Sequence, residues 1–407
     1  MKTRINLFSK ATLNTLFLIG ANGFNAVYGF MTFYYCNSLG ATKTFASYIS
    51  LLSIVGLLAI LVNFGHHFSA TKRIAVLSND RKQRDEFISR VLTSKSILLC
   101  LALGIYLVTV NVLFPEVNHT YLLVIGFLPI SYEAFFPYWF FNGIGDNANN
   151  LLFNALPKSL IVVYLLLLHP GIQEALTVIS ISSVLAACAA WAYIMTKKGF
   201  CFQPIKLGEV RSDMQLATHG FLTIDAVDLP LKLSKLLSAT FFGPANIIAF
   251  ELYEKIFRLF RLIMTSANQS LIPQTLYNRV SSLHKKQLFV FIATSVITAF
   301  VIAYAQDYIS EVFVLANYSS APLFSLLIFA LPCYACTEFL GNGCLLFSSR
   351  RHQYTRALYG LIGLFILVVF TMGQFTKMTA AVVYAYLMFE LFIASYVIYS
   401  VSKLNDD

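Results

Sequence analysis

Residues 96–114 read SILLCLALGIYLVTVNVLF and contain no charged side chain. About 20 apolar residues in a helix that rises roughly 1.5 Å per residue cross the hydrocarbon core of a bilayer. Similar apolar windows recur along the chain, for example at 51–61, 160–168 and 361–370. They do not alternate as barrel strands do, and a backbone in lipid must satisfy its own hydrogen bonds. The sequence therefore predicts transmembrane helices.

The composition of the 407 residues agrees with this prediction, because 58% are hydrophobic and only 12% are charged. Soluble chains are about half apolar and a quarter charged. The seven Cys and seven His residues follow neither a disulfide framework nor the spacing of a metal site. We therefore expect no metal and no other cofactor. The long apolar stretch after the basic N-terminal residues predicts a retained first span rather than a cleaved signal peptide.

Hydropathy predicts an all-α polytopic membrane protein with about twelve transmembrane helices. The predicted spans cover residues 13–36, 44–64, 96–114, 120–142, 150–168, 172–196, 215–242, 245–273, 287–306, 321–346, 354–373 and 378–401.

The positions of Lys and Arg predict the orientation of these spans. Of the 29 basic residues, 21 fall on one side, only Lys43 and Lys377 fall on the other, and six lie within spans. The positive-inside rule places the basic side and both termini in the cytoplasm. The net charge of +10 is then mostly a topology signal, and we expect no nucleic-acid partner. Six spans precede the basic loop around 197–214 and six follow it, which predicts two six-helix bundles, residues 1–205 and 206–407, with a site between them.

The longest cytoplasmic segment, residues 66–95, mixes apolar and basic side chains. The apolar ones are Phe87, Ile88, Val91 and Leu92, among Arg81, Lys82, Arg84 and Arg90. Two interpretations stay open at this point. The segment is either a short amphipathic helix on the inner leaflet or a basic loop that only sets the topology.

The seventh and eighth predicted spans carry an unusual number of charges. An ionisable group at the bilayer centre costs about 2.5–3.5 kcal/mol. The charged residues are Asp225, Asp228, Lys232 and Lys235 in the seventh span, and Glu251, Glu254, Lys255, Arg258 and Arg261 in the eighth. In each span the spacing places them on one face of a helix.

An antiparallel hairpin about residues 242–244 would place these charges at matched depths. The predicted pairs are Asp225 with Arg261, Asp228 with Arg258, Lys232 with Glu254, and Lys235 with Glu251, which leaves Lys255 over. One interpretation is that pairing simply permits insertion into the membrane. The other is that at least one pair opens to an aqueous cavity, binds an anion or exchanges protons.

Further polar residues lie in other predicted spans. Glu133 and Lys158 fall at similar depth in the hairpin closed by residues 143–146, and Glu338 and Glu390 have no obvious partner. Glu338 and Glu390 are therefore candidate proton or cation sites, with polar packing as the alternative. Asn22 and Asn25 either line a cavity or form hydrogen bonds between helices. Prolines within spans should kink or break them: Pro129, Pro137, Pro157, Pro230 and Pro332.

Three short motifs resemble those of a known family. They are FGHHFSATKRIA at 64–75, PYWFFNG at 137–143 and YEKI at 253–256. With twelve predicted spans, a basic loop after the second span and polar seventh and eighth spans, the chain resembles Wzx-type polysaccharide flippases. These belong to the multidrug/oligosaccharidyl-lipid/polysaccharide exporter (MOP) superfamily. Asn142 stands where the family usually has Gln, which bears on the type of substrate more than on the fold.

The resemblance implies that the chain translocates undecaprenyl-diphosphate-linked O-antigen or other polysaccharide repeat units, as in lipopolysaccharide biosynthesis, across the bacterial inner membrane by alternating access. A diphosphate is strongly anionic and suits basic side chains. The candidate headgroup residues are Arg258, Arg261, Lys255 and Lys158, and the candidates for coupling to a proton or sodium gradient are Asp225, Asp228 and Glu338. Expected partners are the lipid-linked oligosaccharide, membrane lipids and other membrane proteins of polysaccharide assembly.

Two other functions remain open. A membrane O-antigen polymerase or glycosyltransferase would handle the same lipid-linked sugars, but such enzymes need residues outside the membrane, typically on a large outer loop. The largest predicted outer loop, about 306–320, contains no Lys or Arg. A drug or ion exporter of the same fold is the second alternative. The sequence therefore favours a transporter over an enzyme.

Overall fold

The computed structural model describes residues 2–77, 80–114, 119–223, 225–241, 244–275, 282–313, 321–342, 345, 350–375 and 378–404. Over these ranges the chain forms helices and no β-strand. It divides into two compact units, which we call unit 1 (Met1–Thr32 and Leu51–Asp225) and unit 2 (Phe33–Ser50 and Ala226–Asp407).

The helices are numbered in chain order. The first ten are α1 (Lys2–Ser38), α2 (Thr42–Asn63), α3 (His66–Leu77), α4 (Arg81–Leu113), α5 (His119–Leu122), α6 (Leu128–Phe135), α7 (Tyr138–Ile144), α8 (Asn147–Leu168), α9 (Ile172–Lys197) and α10 (Leu207–Thr223). The others are α11 (Leu229–Phe241), α12 (Pro244–Thr275), α13 (Ser282–Tyr304), α14 (Gln306–Val312), α15 (Ala321–Ser325), α16 (Leu331–Cys336), α17 (Arg351–Phe375) and α18 (Met378–Leu404). In unit 1, α3 packs on α7 and α8 on α9, whereas in unit 2, α17 packs along α18 and α13 on α16.

Within the described residues, nine helical stretches are long and apolar enough to cross a membrane. A tenth is added if Leu288–Tyr304 and Gln306–Val312, which are bent by 64°, form one span. The predicted seventh span is divided between α10, a 3-10 turn and α11, which are each too short to be included, and the eighth, α12, carries too many charges. A multi-pass, all-helical membrane protein is therefore confirmed, whereas the number twelve and the cytoplasmic termini stay predictions.

Two predicted spans are interrupted near prolines. In the fourth span, α6 ends at Phe135 and α7 begins after Pro137, which has no N–H to continue the helical ladder. In the seventh, a 3-10 turn at Asp225–Asp228 precedes α11, whose first turn contains Pro230. Helix α8, in contrast, runs continuously through Pro157. These interruptions decide where the polar side chains of both spans lie.

The segment 66–95 packs inside unit 1. It forms α3 and the first half of α4, which continues without a break into the third predicted span. Phe87, Ile88 and Val91 are buried in one apolar cluster with Trp139 and Phe140. The interpretation as an amphipathic helix on the inner leaflet is therefore wrong, whereas a role of its basic residues in setting the topology stays a prediction. The apolar face covers α7 and α9 instead of lipid.

Gly143 lies where α7 meets α3 at very short range. A Cβ atom at this position would lie 2.7 Å from Ile74 Cγ2 and 2.9 Å from the Thr71 carbonyl oxygen. Real Cβ atoms essentially never come this close to another heavy atom. The glycine that ends the motif at 137–143 is therefore a packing requirement between two helices of unit 1.

The linker that joins α9 to α10 is fastened to α4. The Cys201 amide donates to Asp85 Oδ2 at 3.3 Å, and the Gln203 amide donates to Ser89 Oγ at 3.0 Å. Beyond the linker, Arg90 Nε lies 2.7 Å from Asp213 Oδ2 on α10. These contacts hold α10 within unit 1.

A second polar contact tethers the start of this linker to the turn before α8. Lys198 Nζ lies 2.7 Å from Asp146 Oδ2. Burial alone would raise the pKa of the Asp146 carboxyl, but its hydrogen bonds with Lys198 and Asn149 outweigh burial and lower the pKa. The carboxyl is therefore ionised at neutral pH, and the tether is an ion pair.

Candidate functional site

The described charges of α11, α12 and the 3-10 turn before α11 form a connected set in unit 2. We call it the charge cluster, which consists of Asp228, Lys235, Glu251, Glu254, Lys255, Arg258 and Arg261. Two of its contacts lie within α12, where residues four apart share a face. Lys255 Nζ is 2.9 Å from Glu251 Oε1, and Arg258 Nη2 is 2.7 Å from Glu254 Oε1.

The other contacts of the charge cluster cross between elements. Lys235 of α11 touches Glu251, and its Nζ lies 3.2 Å from Glu254 Oε2. Arg261 of α12 contacts Asp228. Lys235, Glu251 and Glu254 are 7%, 4% and 2% exposed, so these ions are compensated mainly by one another.

The matched-depth rule is right for one predicted pair, Lys235 with Glu251. It is wrong for Arg258, which contacts Glu254 instead. Arg261 contacts Asp228, and its predicted pair with Asp225 stays a prediction. It is also wrong in leaving Lys255 without a partner, because Lys255 contacts Glu251. The predicted pair of Lys232 with Glu254 stays a prediction. The Asp225 side chain and residues 242–243 of the hairpin turn lie outside the described residues.

The physical reason for these errors lies in the helix geometry that the rule assumed. A 3-10 turn rises about 2.0 Å per residue against about 1.5 Å in an α-helix. The turn at Asp225–Asp228 therefore shifts the depth of its residues relative to α11. The rule also ignored partners one turn away on the same helix, although these are the nearest ones available to long side chains.

Arg261 is held by aromatic rings as well as by its carboxylate. Its guanidinium carbon lies 4.1 Å from the centre of the Tyr334 ring and 5.6 Å from that of Phe257. The Tyr334 hydroxyl in turn donates to Glu338 Oε2 at 3.1 Å. The expectation that Glu338 has no partner is therefore wrong, because a tyrosine one turn earlier supplies one.

Glu390 has a similar tyrosine one turn before it. The Tyr386 hydroxyl donates to Glu390 Oε1 at 2.6 Å. Glu390 is 0% exposed. It is therefore a fully buried carboxyl group that has a neutral donor, and the expectation that it lacks a partner is also wrong.

Unit 1 contains a second polar group, which we call the lysine site and which consists of Asn25, Tyr28, Tyr132, Asn154 and Lys158. Lys158 Nζ donates to Asn25 Oδ1 at 2.6 Å and to Asn154 Oδ1 at 2.5 Å. It also lies 5.7 Å from the Tyr28 ring centre and 5.5 Å from that of Tyr132. Its partners are thus neutral amides and ring faces.

Lys158 and Glu133, which were predicted to lie at similar depth, do not form an ion pair. Among the described residues, no carboxylate oxygen lies within 4.0 Å of Lys158, and Glu133 acts on it only as a more distant charge. The Glu133 carboxylate lies 3.4 Å from the amide nitrogen of Asn63. A half-buried ammonium group without a carboxylate partner remains available for an anion.

Tyr132 and Tyr138 extend the lysine site across the break at Pro137. Their hydroxyl oxygens lie 2.5 Å apart, and the Asn154 amide nitrogen donates to the Tyr138 hydroxyl at 3.1 Å. Both tyrosines and Asn154 were missed by sequence reasoning. A continuous helix would place residues six apart on different faces, so only the break brings these hydroxyls together.

Lys95 was assigned to the cytoplasmic loop, but it is 1% exposed inside unit 1. Its Nζ donates to Asn63 Oδ1 at 3.0 Å and to the Glu133 carbonyl oxygen at 3.4 Å. A sequence signal for this burial exists, because Val91, Lys95, Leu98 and Ala102 follow a helical repeat and are all buried. The basic tally therefore counted one residue that belongs inside the bundle.

Asn22, the other predicted cavity residue, is half-buried on α1, one turn before Asn25. Within the described ranges, no three His, Cys, Asp or Glu side chains cluster closely enough to hold a metal ion.

Comparisons with known proteins place the chain in a family. The model of the family described as "Polysaccharide biosynthesis protein" matches residues 11–276. A "Putative O-antigen transporter" of Shigella dysenteriae is 23% identical over 64% of this chain and 66% of its own length. One of the same description from Escherichia coli (strain K12) is 20% identical over 66% of this chain and 64% of its own length.

The fold has relatives among solved structures. An inward-facing multidrug resistance MATE family transporter of the MOP superfamily superimposes with a TM-score of 0.67 at 13% identity, covering 94% of this chain and 99% of that one. This similarity concerns the fold. The family match covers more than half of the sequence and confirms the resemblance that the motifs indicated. The chain therefore belongs to the polysaccharide biosynthesis protein family, and it has the all-helical fold of MOP superfamily transporters.

Proposed function

We propose that the chain moves lipid-linked oligosaccharide repeat units, of the undecaprenyl-diphosphate-linked O-antigen type, from the inner to the outer leaflet of the bacterial inner membrane. Transport would proceed by alternating access, driven by a proton or sodium gradient. The family match and the relatives described as O-antigen transporters support this proposal. Other membrane proteins of polysaccharide assembly would supply the substrate and take up the product.

The observation that carries the proposal is the state of Lys158. This ammonium group lies in an apolar helix and is bound by two amide oxygens. The candidate headgroup residues Lys255, Arg258 and Arg261 each contact a carboxylate already. An anionic headgroup would therefore meet a less neutralised cation at Lys158, and a diphosphate offers the acceptor oxygens that an ammonium group binds well.

The surroundings of Lys158 suit a saccharide headgroup as well as its phosphates. Asn25 is half-buried, and its amide nitrogen has no hydrogen-bond partner among the described residues. Tyrosine rings at 5.7 and 5.5 Å provide apolar faces beside these polar groups. Hydroxyl groups of a sugar pair with amides, and the faces of its ring pack on aromatic side chains. The lysine site is therefore the part of unit 1 that we assign to the headgroup.

The test is transport by the purified full-length chain in liposomes loaded with an undecaprenyl-diphosphate-linked saccharide. We expect the wild type to expose the saccharide on the opposite leaflet. Lys158→Met should reduce the rate at least tenfold, a loss of about 1.4 kcal/mol or more of binding or transition-state free energy. Lys255→Met is the matched control, because this lysine also lies in a helix but contacts Glu251. Equal rates for the two variants would contradict the role of Lys158.

Deletion of the gene separates the proposal from the enzyme alternative. Loss of a transporter leaves the lipid-linked unit in the inner leaflet. Loss of a polymerase still delivers single repeat units to the cell surface, and that phenotype would overturn the proposal. Drug efflux without any movement of lipid-linked saccharide would instead favour the exporter alternative.

A further inference from the structure

Unit 2 contains a carboxyl group that differs from those of the charge cluster. Asp228, Glu251 and Glu254 each contact a Lys or Arg side chain. Glu390 of α18 is completely buried, and no cationic nitrogen of the described residues lies within 4.0 Å of it. Its hydrogen-bond donor is the neutral hydroxyl of Tyr386.

The two oxygens of Glu390 have different surroundings. Oε1 accepts the Tyr386 hydrogen bond at 2.6 Å. Oε2 is buried and has no hydrogen-bond partner in the described part of the chain. Burying an isolated carboxylate costs far more free energy than burying a neutral carboxylic acid, so a buried carboxyl group without ionic partners keeps its proton. Burial and missing partners thus indicate that Glu390 is protonated in this conformation.

The titratable groups that interact with Glu390 come from several elements. They are Tyr386 on the same helix, Tyr354 on α17, Cys333 on α16, Arg261 on α12 and Asp228 in the 3-10 turn. Lys235, on the adjacent α11, contacts Glu251 and Glu254. Arg261 is therefore the one cation in this set that interacts with Glu390, and it is held by Asp228.

Arg261 has the capacity to bind a second carboxylate. A guanidinium group carries five N–H donors. Of these, only one on Nη2 has a hydrogen-bond acceptor among the described residues, which is Asp228 Oδ1. The flat face rests on the Tyr334 ring, and this stacking does not occupy the donors at the edge. Asp228, in contrast, keeps 46% of its side chain exposed, so protein atoms do not enclose it as they enclose Glu390.

We propose that Glu390 is a proton-exchange site that controls Arg261. While Glu390 is protonated, Arg261 stays on Asp228. When Glu390 releases its proton to water, the new carboxylate draws the guanidinium from Asp228, which then stays ionised in contact with solvent. Arg261 keeps its charge throughout. The inference deepens the proposed function and rests on it in one respect, because Arg261 is among the candidate headgroup residues.

Infrared difference spectroscopy of the full-length chain in lipid, recorded as the pH is raised from neutral to alkaline, tests the protonation directly. We expect loss of the carbonyl-stretch band of a buried carboxylic acid. The band should be absent from Glu390→Gln and retained in Glu338→Gln, the matched control with a tyrosine hydroxyl at 3.1 Å. A band that persists in Glu390→Gln, or no such band in the wild type, would overturn the proposal.

Asp228 reports the movement of Arg261 in the same spectra. The antisymmetric carboxylate band of Asp228, identified by its loss in Asp228→Asn, should shift when Glu390 ionises and stay fixed in Glu390→Gln. A fixed band in the wild type would contradict the switch. Glutamine has the shape of a neutral carboxylic acid, so Glu390→Gln should keep a melting temperature close to that of the wild type, and a large loss would count against a protonated Glu390.

Transport measurements separate this inference from the proposed function. Across the pH range in which the Glu390 band is lost, we expect the wild-type rate to change about tenfold and the Glu390→Gln rate to stay constant. The spectra need no substrate. If the wild type moves no lipid-linked saccharide but the carboxylic-acid band is absent from Glu390→Gln, the proposed function alone is contradicted. Equal pH dependence of the two rates contradicts the inference alone.

Discussion

The lysine site of unit 1 and the charge cluster of unit 2 both place cations within helices, but they stabilise them differently. Lys158 is held by two amide oxygens and has no carboxylate within 4.0 Å in the described chain. Lys235 of unit 2 touches two carboxylates, Glu251 and Glu254. A cation that already has carboxylate partners presents little net field to a ligand, whereas one held by amides keeps most of its charge.

The comparison teaches that counting cations in a membrane helix does not locate an anion site. A buried ion pair mainly offsets its own desolvation. All seven residues of the charge cluster contact an opposite charge within the cluster, so the densest set of charges is the least available one.

Removing Lys235 should have the largest effect on stability. Lys235→Met leaves Glu251 and Glu254 without their shared cation, and breaking a buried ion pair costs about 3–5 kcal/mol. We expect a large fall in melting temperature in detergent and in folded yield. Lys255→Met is the control, because Lys255 is 25% exposed and contacts only Glu251. If both variants lose the same stability, burial is not what distinguishes these lysines.

Asn25→Asp should convert the lysine site into a paired site like those of unit 2. The aspartate would face Lys158 Nζ at the position of an amide oxygen now 2.6 Å away. We expect stability to stay within about 1 kcal/mol of the wild type while transport falls at least tenfold, because the cation is then neutralised. Asn22→Asp, one turn earlier on α1, is the control. Wild-type transport by Asn25→Asp would show that the free charge of Lys158 is not required.

The ion pair between Arg90 and Asp213 is less buried than that of Lys235, so breaking it should have a smaller effect on stability. The two side chains are 17% and 16% exposed, and Arg90 Nη1 also lies 3.1 Å from Glu209 Oε2. Arg90→Asp should lower the free energy of unfolding by about 1–2 kcal/mol, measured by chemical denaturation or thermal melting, since solvent partly screens the ion pair. Adding Asp213→Arg should restore part of the lost stability. A double variant no better than Arg90→Asp would exclude a specific pair.

The smallest expected effect is the pH dependence of unit 1 around His66. Burial, and then the charge of Lys95, lowers the pKa of His66 from 6.5 to about 3. As the pH falls, the unfolded chain takes up the proton first, so the stabilisation is complete above pH 6.5 and declines towards pH 3. Near pH 6 the loss is under about 1 kcal/mol. Melting curves of His66→Gln should show a smaller decline than the wild type, because the lowered pKa of His67 still contributes. A wild type without any decline would contradict burial of neutral His66.

Much of the fold could be predicted because apolar length and helical periodicity are properties of the local sequence. Residues 96–114 form part of one long apolar helix, as their hydropathy indicates. The prediction failed for residues 81–95, where a basic surface hid the apolar face of Phe87, Ile88 and Val91. One helix can carry charged side chains on one face and bury apolar side chains on the other. Hydropathy averages over both faces and therefore hides the apolar one.

The sites could be predicted less well, because they depend on depth and rotation rather than on residue type. The residues of the charge cluster were found from their spacing, and the pair of Lys235 with Glu251 follows from antiparallel helices. Asn154 precedes Lys158 by one turn of α8, so helical spacing could have assigned it. Tyr138 could not be assigned without the break at Pro137, because helical spacing does not predict that break.

Hydropathy and periodicity are properties of the linear sequence, and they are enough to identify this chain as a helical membrane protein with charges concentrated in two neighbouring spans. Which of these charges are neutralised depends on the tertiary structure. Arg261 contacts Asp228, Lys158 contacts amides, and Lys95 is buried, each through the position of a neighbouring element. The electrostatic energy of two charged groups depends on their distance and burial, and both are set only when the chain is folded.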